Sequence, residues 1–166
     1  MVKKEVFISV DIEASGPIPG DYDLLSIGMC LVDQPDIQFY CELKPVSYKA
    51  DPKALAVTGF HLEDLAKNGI DPATAMQNCA AWIEQHLSTS ETAIFVGFNA
   101  GFDWSFMNYY FHKFIGHNPF GGRWSETRAK HIIDVLQPQS RGNHHALQDA
   151  IFQAELFRLI FKQIQP

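Results

Sequence analysis

The chain has 166 residues, 46% of them hydrophobic and 19% charged, with a net charge of −6. That length allows one domain with a sizeable core, the composition excludes a disordered chain, and the apolar stretches are too short to span a membrane. The acidic balance counts against a surface built to hold long nucleic acid, although carboxylates that hold divalent cations reverse their local sign.

No repeat or long linker divides the chain, so residues 1–166 read as a single domain. Lys3 and Lys4 precede "VFISV", which runs straight into Asp11 and is too short for a signal-peptide core. A cytoplasmic protein with no membrane partner is the expectation. Cys30, Cys41 and Cys79 are odd in number and scattered. They read as buried small hydrophobes in a reducing compartment, not as a disulfide or zinc framework.

The first predicted strand is "EVFISVDIE", dense in β-branched and aromatic residues. "DLLSIGMCLVD" is a second, and the alternating "DIQFYCELKP" a third, pairing antiparallel with it through a short turn. "DPKALAVTG" and "HLEDLAKNG" then predict two short helices ending at Gly59 and Gly69. "DPATAMQNCAAWIEQHL" predicts a longer one, with Asp71 as N-cap, Pro72 in its first turn and apolar residues at helical spacing.

"TAIFVGFN" is an unbroken apolar run, as expected of a strand buried on both faces. The aromatic "AGFDWSFMNYYFHKFIG" predicts a helix, "AKHIIDVLQ" a fifth strand, and "HHALQDAIFQAELFRLIFKQI" a long final helix. The order implies an α/β fold, a mixed five-stranded sheet flanked by helices on both faces. Between Gly122 and His145 the chain is locally basic (Arg123, Arg128, Lys130 and Arg141 against Glu126 and Asp134), which suits a solvated loop or a phosphate-facing edge equally well.

Chemistry concentrates where strands end. Asp11 and Glu13 lie two apart in an extended run, so both point to one face and repel unless a cation holds them. Asp103 sits in the first turn of the aromatic helix, and Asp149 is an acid on an apolar stretch at the start of the last helix, near His144. Several acids among apolar neighbours, with no adjacent lysine or arginine, are costly to bury without hard cations. A carboxylate set selects Mg²⁺ or Mn²⁺ over Zn²⁺. The pair His112 and His117 lacks further zinc ligands, and "GFNAGF" lacks the Lys-Ser/Thr of a P-loop.

Together "DIEASG", "GFNAGFD" and "HHALQDA" resemble the three motifs of the DEDDh-type 3′-to-5′ exonucleases: D-x-E, then N-x-x-F-D, then H-x-A-x-x-D. This family includes polymerase proofreading subunits, oligoribonucleases and RNase T-like enzymes. The resemblance spans residues 11 to 149 and implies a ribonuclease H-like fold. It further implies an enzyme that hydrolyses phosphodiester bonds at 3′ ends of single-stranded DNA or RNA, or of short oligonucleotides, and releases nucleoside 5′-monophosphates. Two divalent ions, Mg²⁺ or Mn²⁺, about 4 Å apart would clamp the scissile phosphate.

By the same resemblance Asp11 would bridge both ions, Glu13 and Asp149 would hold the first, and Asp103 the second. His144 would be the general base, a role suited to a side chain that ordinarily titrates near neutrality. His145, four residues before Asp149, is a rival on one helical face, but the family spacing, with Ala146 two places after the histidine, selects His144. Ala14, Ser15 and Gly16 would cradle the terminal nucleotide, with Val57 and Thr58 packing under it. Asn99 belongs to the second motif, and Phe102 would stack on a terminal base or else belong to the core.

The family often carries threonine after the glutamate, where this chain has Ala14, which removes one expected hydroxyl contact. Asp134 matches an acid often seen on the family's last strand. Relatives commonly form homodimers, for which the helix "WSFMNYYFHKF" would offer a face if it were not core, and a polymerase or repair partner is a further expectation. Two other readings stand beside this one: a catalytically weak nucleic-acid-binding or scaffold domain of the same fold, and an RNA-specific end-trimming enzyme.

Overall fold

The computed structural model describes residues 3–126 and 143–164. Its strands are β1 (Lys4–Ala14), β2 (Leu24–Leu31), β3 (Gln38–Glu42), β4 (Glu91–Gly97) and β5 (Trp124–Glu126). Its helices are α1 (Pro52–Thr58), α2 (Leu62–Asn68), α3 (Pro72–Gln85), α4 (Ala100–Ile115) and α5 (Ala146–Ile164). The sheet order is β3-β2-β1-β4-β5. β1 and β2 pair antiparallel, as do β2 and β3, while β4 runs parallel to β1 and β5 parallel to β4. The mixed five-stranded sheet expected from the sequence is therefore present. Its described fifth strand is Trp124–Glu126; the "AKHIIDVLQ" segment predicted for that place lies outside the described residues, as do Arg128, Lys130, Asp134 and Arg141.

Alternation along β1 assigns the faces. Ile8, Val10 and Ile12 join Met76, Ile83, Phe106 and Phe111 in the larger core, under α3 and α4. Phe7 points the other way and packs on Phe157 of α5, ring centroids 4.9 Å apart, beside Cys30, Val32, Val96 and Ala154. The aromatic helix α4 is thus a core element through Phe106, Met107, Tyr110 and Phe111. The three cysteines are free and buried. The caps follow the sequence: Asp51 accepts from Lys53 N, Asp71 from Ala73 N and Thr74 N, and Gly59 closes α1 at φ 72°. No helix among the described residues is long and apolar enough to cross a membrane.

One glycine decides how α5 docks. A Cβ on Gly28 of β2 would stand 2.2 Å from Ala146 C and from Leu147 N. The first turn of α5 therefore lies directly on the strand backbone. Gly28→Ala is expected to destabilise the protein by about 1–3 kcal/mol, because backbone and not a flexible side chain must yield. Urea titration measures this, and an unchanged midpoint would show that the helix start shifts freely.

Candidate active site

β1 outruns its parallel neighbour. Its pairing with β4 ends at Ser9↔Val96, yet the strand continues to Ala14. The edge beyond is open, and the N–H of Ile12 there donates to Asp103 Oδ1 at 3.1 Å. Asp11 and Glu13 project from this stretch on the face opposite Ile12. The register against β2 shifts between Glu13 and Ala14, an irregularity that re-aims side chains at the strand end.

The turn after β4 brings in the second group. Asn99 takes a left-handed conformation, φ 61° and ψ 40°, and starts α4, whose first turn carries Asp103, 4% exposed. Phe102 packs on Phe106, ring centroids 5.2 Å apart.

The third group comes from the start of α5. Both Asp149 oxygens accept backbone N–H groups, from Asn143 at 2.6 Å and from His144 at 2.9 Å. His144 precedes the helix with φ 59°, a conformation that a residue with a Cβ keeps only when its surroundings impose it. This corrects the sequence reading that α5 begins at His144 and puts His145 on its acid face. α5 begins at Ala146, and His145 instead stacks on Tyr40, centroids 4.8 Å apart.

Asp11, Glu13, Asn99, Phe102, Asp103, His144 and Asp149 line one cavity of about 560 Å³ together with Phe98, Phe152 and Gln153. No lysine or arginine is among its described lining residues. Burial, and then the charges of Asp103, Asp149 and Glu13, hold the Asp11 carboxyl well above the usual range, against the pull of a hydrogen bond from Gln153. Glu13 is pushed up to about 7, by burial first and by Asp149 second. Among the described residues the cavity gathers four carboxyl groups, Asp11, Glu13, Asp103 and Asp149.

Glu13, His144 and Asp149 each offer a ligand atom, and these lie within 4.8 Å of one another. Oxygen donors with one imidazole suit a divalent cation, and the raised carboxyl groups are those a cation would satisfy.

A second cavity of about 380 Å³ shares Glu13 and Phe102 with the first and adds Ala14, Gly16, Pro17, Asp51, Lys53, Ala54, Val57 and Thr58. Val57 is 54% exposed there. Ser15, expected beside Ala14 and Gly16 in a nucleotide cradle, is turned inward. Its hydroxyl donates to Lys49 O at 2.6 Å and accepts from Asp23 N at 2.8 Å, which ties the 15–23 turn to the 47–51 segment. Extended backbone alternates its side chains, and with Ala14 on the cavity wall Ser15 falls inside.

Gln153 escaped the sequence reading. Only 3% exposed, it accepts from Phe98 N at 3.1 Å and donates to Asp11 Oδ1, bridging the end of β4 to the acid pair. Its signal was an amide four residues beyond Asp149, on the same helical face. His112 and His117 lie on the exposed surface, with His117 Nε2 3.9 Å from Glu84.

No family model matches the chain. A curated relative, the 3′-5′ DNA exonuclease Cap18 of Escherichia coli, is 49% identical over 174 aligned positions that cover 96% of this chain and 93% of the relative. Among solved structures the fold is similar to a zinc-bound form of E. coli exonuclease I with single-stranded DNA, at TM-score 0.76, 14% identity and 98% coverage of this chain. It is similar also to the same enzyme with a dA16 oligonucleotide, at TM-score 0.74, 15% identity and 98% coverage. Exonuclease I of Methylocaldum szegediense follows at TM-score 0.71, 15% identity and 97% coverage. The chain spans 41–42% of those exonuclease I chains, and at such identities the likeness is one of fold. Identity of 49% along nearly its whole length is of another order, and with it the chain belongs to the DEDDh-type 3′-to-5′ exonucleases.

Proposed function

We propose that this exonuclease removes nucleotides from the 3′ ends of single-stranded DNA with Mg²⁺ or Mn²⁺ at the acid cluster, releasing nucleoside 5′-monophosphates. The observation that carries the reading is the convergence of Asp11, Glu13, Asp103, His144 and Asp149 on one cavity at the end of β1. DNA is favoured over RNA by the relative named a DNA exonuclease.

Asp11, Glu13 and Asp149 would hold one cation, and Asp11 with Asp103 a second. Bound there, divalent ions supply charge to the scissile phosphate and its leaving oxygen. The protein's own groups prepare that arrangement. Gln153 orients Asp11 by donating to Oδ1, and the N–H groups of Asn143 and His144 fix Asp149. The imidazole of His144, exposed on the cavity wall, takes the proton of the attacking water. Phe102, shared by both cavities, offers its face or edge to the terminal base, with Ala14, Gly16, Val57 and Thr58 around that nucleotide.

The test is digestion of 5′-labelled DNA and RNA strands of one sequence with Mg²⁺, with Mn²⁺ and with a chelator. A ladder of shortened, still-labelled DNA with either ion supports the reading. Cleavage that survives chelation, or RNA cut faster than DNA, overturns the metal or the substrate assignment respectively. One observation favours a second role for His144: its ring nitrogen lies within ligand reach of Glu13 and Asp149. If it is a ligand and not the base, His144→Ala will weaken metal affinity, and excess Mn²⁺ will restore the rate.

A further inference from the structure

On the sheet face that carries α5, the residues opposed to Asp11 across the strands are Gly28 of β2 and Tyr40 of β3. They form one row, an acid and an aromatic with a glycine between. Gly28 is a slot, filled by the backbone of Ala146 and Leu147. The segment entering α5 is anchored on both sides of that slot. On the Asp11 side, Asp149 holds the N–H groups of Asn143 and His144. On the other side the His145 imidazole lies on the Tyr40 ring, centroids 4.8 Å apart and planes 22° from parallel. Tyr40 is itself fixed, its hydroxyl donating to Glu42 Oε1 at 2.9 Å.

His144 is therefore flanked in the chain by two anchors and adopts the left-handed conformation between them. Such a conformation persists only while its surroundings impose it. We propose that Tyr40 is a positioning residue for His144: its ring holds His145 and so fixes the turn that presents the His144 imidazole to the cavity. The proposal rests on His144 being the general base.

A residue that acts through His144 loses its effect when His144 is absent, whereas one that merely fills space does not. The experiment measures kcat and KM on a single-stranded DNA oligonucleotide for Tyr40→Ala, Tyr40→Phe, His144→Ala and the double variant Tyr40→Ala/His144→Ala. Tyr40→Ala is expected to lower kcat about tenfold to a hundredfold, the cost of a base displaced by an ångström or so, with KM changed by less than about twofold. Tyr40→Phe keeps the ring and recovers the rate. The double variant is expected to be no slower than His144→Ala.

Tyr40→Leu, which keeps most of the buried volume without the stacking face, replaces Tyr40→Ala if that protein fails to fold. An equal loss in the His144→Ala background overturns the proposal, as does a lowered melting temperature with kcat intact. A wild-type rate in His144→Ala overturns the assignment of the base instead, whereas a crippled His144→Ala beside a fully active Tyr40→Ala overturns only the role of Tyr40.

Discussion

Asp11→Asn is expected to cut kcat by about a thousandfold or more while raising the melting temperature of the metal-free protein. The loss follows from removing a carboxylate at the centre of the site, since electrophilic assistance by bound divalent ions is worth several kcal/mol in the transition state. The gain in stability follows from the same position. In the metal-free chain the Asp11 charge is opposed by burial and by Asp103, Asp149 and Glu13, with a hydrogen bond from Gln153 in its favour. Asparagine keeps an oxygen that can accept that bond and discards the charge. Stability traded for a charged site is a common feature of catalytic centres. Single-turnover digestion and thermal melts in chelator check the two halves. A melting temperature that falls would show that the acid cluster is not under electrostatic tension.

Glu13 adds a pH signature of the same origin. Its folded-state pKa, about 7, lies above the ordinary 4.5. Between those values the native state keeps a proton that the unfolded state has released, so this group's contribution to stability is full below about pH 4.5 and is lost as pH rises towards 7. In chelator, wild-type stability is therefore expected to decline through that window more steeply than that of Glu13→Gln. Mg²⁺ or Mn²⁺, binding the ionised carboxylate in the native state alone, is expected to flatten the wild-type decline. Melting curves at several pH values, with and without cation, measure the difference in slope. Identical slopes for the two proteins in chelator would sink the argument.

Local signals carried most of the architecture. Asp51-Pro52 and Asp71-Pro72 announce helix starts because their side chains accept the first free N–H groups. The two-residue spacing of Asp11 and Glu13 already put both on one face of β1, and Ile8, Val10 and Ile12 occupy the other, in the core. What local pattern could not show was decided by long-range packing. His145 has the spacing of a helical partner for Asp149, but α5 starts one residue later because both Asp149 oxygens engage the backbone N–H groups before it. Ser15 sits beside cavity residues in sequence, yet its hydroxyl belongs to a loop 34 residues away. Gln153 reaches Asp11 across 142 residues, a relation no local periodicity contains. The acids were legible because their chemistry is expensive; the residues that orient them were hidden because a buried amide or serine looks ordinary until its partner is known.

His144→Ala is expected to lower kcat by about 10²–10⁴-fold, the usual worth of a positioned general base, with little change in KM for DNA. Because burial and Asp149 push Glu13 up to about 7 in the metal-free protein, this carboxyl alone shapes an acidic limb in the rate profile, and pH dependence does not by itself identify the base. Saturating cation removes that contribution. It keeps Glu13 ionised across the range by binding its carboxylate, so the limb that survives saturation belongs to another group. If that group is His144, the remaining limb disappears in His144→Ala, whereas His145→Ala keeps its shape at a lowered rate, because the stack on Tyr40 that holds the turn is lost. Rates measured at saturating Mn²⁺ across the neutral range, for wild type and both alanine variants, provide the comparison. A limb unchanged in His144→Ala would remove histidine from the proton transfer and leave it, with Glu13 and Asp149, as a ligand.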